Sequence, residues 1–138
     1  MNCVRKIKFN SGEALEIEKE LDGYIWIAVD VKRGMIAGGD ERITNLKWEL
    51  LRQKCNIYNI FGIGLDLVTG EIDYYSEINI KRVERGSTKE VPMEKRERIE
   101  TLVAYFFEDF SAIKNCNQGR YVKYKKVLYN REKDKEVL

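Results

Sequence analysis

The stretch Tyr24-Ile25-Trp26-Ile27-Ala28-Val29-Asp30-Val31 is apolar on both alternating faces, with Ile25, Ile27 and Val29 on one and Tyr24, Trp26 and Ala28 on the other. A strand of that composition is covered on both sides, which places it in the middle of a sheet. Val31-Lys32-Arg33-Gly34-Met35 then gives a short glycine-containing connection into Met35 to Ala37, a β-hairpin signal. Upstream, Cys3 to Phe9 alternates, with Ile7 and Phe9 on one face, and reads as a first strand. Ser11 is placed to cap a helix over about 12–21, where Ala14, Ile17 and Leu21 recur on one side before Gly23 supplies a left-handed stop. Glu13, Glu16, Glu18 and Glu20 give that helix an acidic, solvated outer face. Downstream, Gly38 and Gly39 end the hairpin strand, and Asp40 stands at the N-cap of a helix over about 40–54 with a stripe of Ile43, Leu46, Leu50 and Leu51.

A longer strand pair follows. Phe61, Ile63, Leu65 and Leu67 share one face, while Gly62 and Gly64 leave the other bare, so a large aromatic from a neighbouring strand is expected to lie across them. Thr69-Gly70 turns the chain into the alternating Ile72, Tyr74, Ser76, Ile78 and Ile80, with Asp73 and Glu77 toward solvent. After a polar loop over 82–91, Pro92 opens a helix over 93–114 in which Ile99, Leu102, Val103, Phe106, Phe107 and Phe110 keep helical spacing. The fold class is α+β: a mainly antiparallel sheet with about three helices packed chiefly on one face. Residues 1–118 read as a single domain, and 119–138 as a basic, tyrosine-containing extension.

The composition excludes more chemistry than it suggests. The 138 residues contain no histidine, so Ser-His-Asp and Cys-His nucleophile systems, histidine general bases and histidine-bearing zinc sites are impossible. Cys3, Cys55 and Cys116 are scattered, without the fourth ligand of a cysteine-only zinc site. Odd, unpaired thiols and the absence of an apolar leader or membrane-length run point to a reduced, cytoplasmic setting with no membrane partner. No cofactor is expected.

In its order of elements the chain resembles a family of short prokaryotic proteins known only as a domain of unknown function. The resemblance runs over about residues 15–107. It is carried by Ile27-Ala28-Val29-Asp30-Val31, Gly38-Gly39-Asp40, Phe61-Gly62-Ile63 and Ile72-Asp73-Tyr74-Tyr75-Ser76-Glu77-Ile78-Asn79-Ile80-Lys81, followed by a descent through Glu90 into the last helix. The family pattern places a histidine and an acid after the Gly-Gly-acid step, where this chain has Glu41, Arg42, Ile43 and Thr44. Its Ile-Asn-Ile-Arg-Pro appears as Ile78-Asn79-Ile80-Lys81-Arg82. The resemblance implies the fold and supplies no activity.

Charge is segregated. Residues 119–138 hold seven basic and three acidic residues, net +4, whereas the remaining 118 hold 18 basic and 20 acidic, net −2. Between Arg120 and Tyr129 the cations Arg120, Lys123, Lys125 and Lys126 interleave with Tyr121 and Tyr124, and no acid intervenes. A strip that tracks phosphates and stacks bases needs that pattern; a solvated surface element would also tolerate it. Lys81, Arg82, Arg85 and Lys89 form a second cationic set, a candidate anion site before a helix start. Asp30, Asp40, Asp73 and Glu77 are the carboxylates that a Mg²⁺-dependent phosphodiesterase would gather. Asp40 is explained as a cap, and no catalytic residue or metal ligand is assigned. The expected function is a non-enzymatic binding or interaction module that contacts nucleic acid or an acidic protein partner through the C-terminal segment. The alternatives are a structural homo-oligomer and the carboxylate–metal nuclease.

Overall fold

The computed structural model describes residues 3–20, 23–80 and 89–114. Five strands, β1 (Cys3–Arg5), β2 (Tyr24–Asp30), β3 (Met35–Gly38), β4 (Ile60–Asp66) and β5 (Ile72–Asp73), form one sheet in the order β1-β3-β2-β4-β5. Every neighbouring pair is antiparallel. The doubly apolar strand β2 is central, as its composition requires. Asp30 Oδ1 shapes the β2–β3 turn by accepting the Lys32 and Arg33 N–H groups, both at 2.9 Å. Gly34 completes that turn at φ 68°, a left-handed conformation that costs glycine little.

Among the described residues, four α-helices flank the sheet: α1 (Ser11–Glu20), α2 (Ile43–Arg52), α3 (Met93–Phe106) and the short α4 (Ser111–Lys114). The helices sit chiefly on one face. There Ile25, Ile27 and Val29 of β2, Ile36 of β3 and Phe61, Ile63 and Leu65 of β4 join Ala14 and Ile17 of α1 and Ile99, Leu102, Val103 and Phe106 of α3 in the larger core. Helix α2 takes the other face alone. It lies directly on β2, β3 and β4, over the small side chains Ala28 and Ala37, with Met35, Leu46, Leu50, Cys55, Ile60 and Ile78 in a smaller core.

Five local expectations are corrected. The first strand stops at Arg5, whose guanidinium reaches the Ile7 and Lys8 carbonyls at 2.6 and 3.0 Å, so the chain bends; Ile7 is 69% exposed while Phe9 is buried. Helix α1 is capped by Asn10 and not Ser11: Asn10 Oδ1 accepts from Glu13 N–H at 2.8 Å and Glu13 Oε1 accepts from Asn10 N–H at 3.0 Å, a reciprocal capping box. Asp40 precedes the cap of α2, which is Arg42, and instead accepts from Arg42 N–H at 2.8 Å and Asn45 Nδ2 at 3.2 Å. The last alternating strand ends at Asp73, beyond which come an isolated Tyr75–Glu90 bridge and a 3₁₀ turn at Glu77–Asn79.

The helix expected over 93–114 breaks after Phe106. The Phe106 carbonyl accepts from Phe9 N–H at 3.1 Å, and Phe110 N–H turns to Phe107 O at 2.9 Å. The chain restarts as α4, whose Ser111 N–H donates to Glu18 Oε1 at 2.7 Å, so this carboxylate of the first helix is not merely solvated. All six apolar residues of the helical stripe are nevertheless buried.

Candidate functional site

Alternation along β2 points Tyr24, Trp26, Ala28 and Asp30 toward the α2 side of the sheet. Helix α2 covers Ala28, while Trp26 emerges at its edge, partly buried against the smaller core. In register with Trp26 stands Gly64 of β4. The space its side chain would fill is held by the Tyr24 ring, and the Tyr24 hydroxyl donates to Asp73 Oδ2 at 3.4 Å. The Tyr24 and Trp26 rings meet edge to face with centroids 5.2 Å apart. The aromatic expected across the glycine pair is therefore present at Gly64. At Gly62 the neighbours are Ser76 Oγ and the Ile78 side chain.

Trp26 belongs to the lining of an open groove of about 460 Å³, which also includes Glu41, Arg42, Ile43 and Thr44 at the start of α2, Tyr75, Ser76 and Glu77 after β5, and Lys89. That volume falls in the roughly 300–1,000 Å³ range of small-ligand sites. The wall after β5 is fixed by one buried side chain. Asn79 Oδ1 accepts from Gly62 N–H at 2.7 Å, and its Nδ2 donates to Gly62 O, Tyr74 O and Lys89 O at 3.0, 3.1 and 3.0 Å. Ser76 N–H also donates to Lys89 O at 2.7 Å. These bonds clamp Tyr75, Ser76 and Lys89 together, and Lys89 Nζ lies 5.7 Å from the Tyr75 ring centroid. Tyr75 is 52% exposed. The site thus offers two aromatic rings, the hydroxyls of Thr44 and Ser76, two carboxylates and two cations.

The sequence-derived candidates divide accordingly. Lys89 and Glu77 are brought to the groove, whereas Lys81, Arg82 and Arg85 lie outside the described residues, as do Arg120, Tyr121, Lys123, Tyr124, Lys125 and Lys126. Asp30 is fully buried. Its Oδ1 is engaged by the β2–β3 turn, and its Oδ2 is enclosed without a hydrogen-bond partner among the described residues. Burial first, and Asp30 second, push the nearby Cys55 thiol up to about 11, so it is held protonated and unreactive at neutral pH. Asp73 accepts from Tyr24 and, at 3.0 Å, from Tyr75 N–H. Among the described residues no three Cys, Asp or Glu side chains are grouped to hold a metal ion.

The groove-forming segments fall inside a region that matches a family model, protein of unknown function DUF5674, over residues 5–106. The chain belongs to the DUF5674 family. The match extends the resemblance read over 15–107 back to β1 and ends at the last residue of α3. No curated protein and no solved structure gives a significant match. Within the DUF5674 region, the Glu41-Arg42-Ile43-Thr44 segment and the Tyr75-Ser76-Glu77 run both line the groove, although they are far apart in sequence. Among the described residues, no helix is long and apolar enough to cross a membrane.

Trp26 and Tyr75 were not apparent in the sequence as parts of one site. Trp26 sits in a run that is otherwise core, and Tyr75 occupies the wetter side of an alternating pattern. The available signal was Gly62 and Gly64, whose bare face marks where side chains crowd in from both neighbouring segments.

Proposed function

We propose that this DUF5674 protein is a non-enzymatic binding module that takes nucleic acid, its basic C-terminal segment holding the phosphate backbone. The observation that carries this reading is the segregation of charge, net +4 over 119–138 against net −2 elsewhere. Arg120, Lys123, Lys125 and Lys126 are the proposed phosphate contacts, with Tyr121 and Tyr124 as stacking platforms. Lys81, Arg82, Arg85 and Lys89 are proposed as a secondary anion contact. Binding is favoured over phosphodiester cleavage because Asp30 and Asp40 are occupied in backbone turns.

Counterion release makes affinity fall steeply with salt, and replacing Lys123, Lys125 and Lys126 with alanine should flatten the log–log salt slope on duplex by about 2 to 3 units. Replacing Tyr121 and Tyr124 should weaken single strands more than duplex, since stacking needs an unpaired base. Fluorescence anisotropy with labelled DNA and RNA measures both effects. Absence of binding to any strand at roughly 50 mM salt removes the reading and brings forward an acidic protein partner or a homo-oligomer.

A further inference from the structure

We infer that the groove over Trp26 is a receptor for one unpaired nucleobase, with the ring stacked against Trp26 and Tyr75. The inference deepens the nucleic-acid reading and rests on it for the source of the base, but its geometry is independent of the C-terminal segment.

Three features of the groove select that chemistry. First, it offers two aromatic surfaces of different standing: Trp26 is partly buried and steadied by the edge-on Tyr24 ring, and Tyr75 is more than half exposed on a wall fixed by Asn79. Rigid aromatic faces bind flat rings without recognising their sequence, because every base has a π-face. Second, the rim is balanced in charge. Glu41 and Glu77 oppose Arg42 and Lys89, so neither a bare anion nor a bare cation is favoured. Third, these four groups with the Thr44 and Ser76 hydroxyls supply both donors and acceptors. The edge of a nucleobase presents both kinds of group, whereas a hydrocarbon ring would leave the polar rim unpaired. Ser76 Oγ accepts from Ile78 N–H at 3.4 Å, which orients the hydroxyl and leaves its proton to donate.

The shared ligand chemistry, a planar heteroaromatic base, has two sources: a free nucleoside or nucleotide, and a base splayed from a single strand. Both are reached with one optical probe. The chain has two tryptophans, Trp26 in the groove and Trp48, 56% exposed on α2. Trp48→Phe leaves Trp26 as the single indole reporter. In that full-length background, titration with adenosine, AMP or short single-stranded oligonucleotides should quench the emission saturably. Ribose 5-phosphate, which has the sugar and phosphate but no base, should not. Tyr75→Ala should weaken the effect by roughly 5- to 150-fold, the range for loss of one stacking partner. An unchanged melting temperature will show that this exposed substitution leaves the fold intact.

The controls separate this inference from the tail reading. Alanine at Lys123, Lys125 and Lys126 should weaken oligonucleotides and leave the adenosine titration unchanged. Quenching by adenosine with no oligonucleotide binding supports the groove and overturns the tail. Oligonucleotide binding by anisotropy that is salt-dependent, silent at Trp26 and indifferent to Tyr75→Ala overturns the groove and supports the tail. Quenching by tetramethylammonium in place of nucleosides also overturns the inference, in favour of a cation cage.

Discussion

Removing the Asn79 amide strands the N–H and carbonyl of Gly62 and takes one of two donors from the carbonyls of Tyr74 and Lys89, which keep Val91 N–H and Ser76 N–H. The residue is 3% exposed, so water cannot readily replace the bonds. Asn79→Ala should cost about 2 to 4 kcal/mol, read as a shift in urea midpoint, because each buried unsatisfied polar group carries a penalty of its own. Asn79→Asp should be no better, since it keeps the acceptor for Gly62 N–H but turns a carboxylate toward three carbonyls. Little of this was legible locally. Asn79 sits between Ile78 and Ile80 in a run whose alternation suggests a strand. Its partners lie up to 17 residues away, where the amide stands in for the backbone of the longer strand expected there. At Asn10 the cap lies one residue before the expected Ser11, fixed by the reciprocal bonds between Asn10 and Glu13.

At the level of elements, the strongest periodicities survived and their ends did not. The helix stripe from Ile99 to Phe110 was legible because every member is buried. The break after Phe106 was not, because it depends on a hydrogen bond from Phe9. Phe106 is fully enclosed in the larger core, and Phe106→Ala should cost roughly 3 to 5 kcal/mol, measurable by thermal or urea unfolding. The glycine face of β4 gives a sharper test of pairing. Gly64→Ala puts a methyl group where the Tyr24 ring lies and should cost about 1 to 3 kcal/mol. In a Tyr24→Ala background the same change should cost much less, and additive costs would refute the contact. The central position of β2 followed from its two apolar faces. The groove did not follow from any one element, since it is assembled from the end of one hairpin, the start of α2 and the wall that Asn79 holds.

For the whole molecule, two groups with raised proton affinity, the buried Cys55 thiol and the exposed Tyr24 hydroxyl, bear on alkaline stability. The folded chain holds the Cys55 thiol up to about 11 against an ordinary 9.0, and the Tyr24 hydroxyl is also raised, by burial first and then by Asp73. The unfolded chain loses the thiol proton first, so ionisation favours unfolding: the Cys55 contribution to stability should be full below about pH 9 and be lost toward pH 11. Denaturation midpoints taken across that window should fall less steeply for Cys55→Ala than for the parent, whatever constant offset the lost side chain adds. The pairing of Phe9 with the far end of α3 concerns a different limit, that of time. A chain leaves the ribosome N-terminus first, so α1 emerges long before its seat exists. Phe9 can dock only once the carbonyl of Phe106 and the rings of Phe107 and Phe110, centroids 5.3 and 5.7 Å away, have been synthesised. Until then the first helix must wait with its apolar side open, a substrate for chaperones. A premature stop before residue 106 thus deprives the beginning of the chain, as much as its end, of a packing partner.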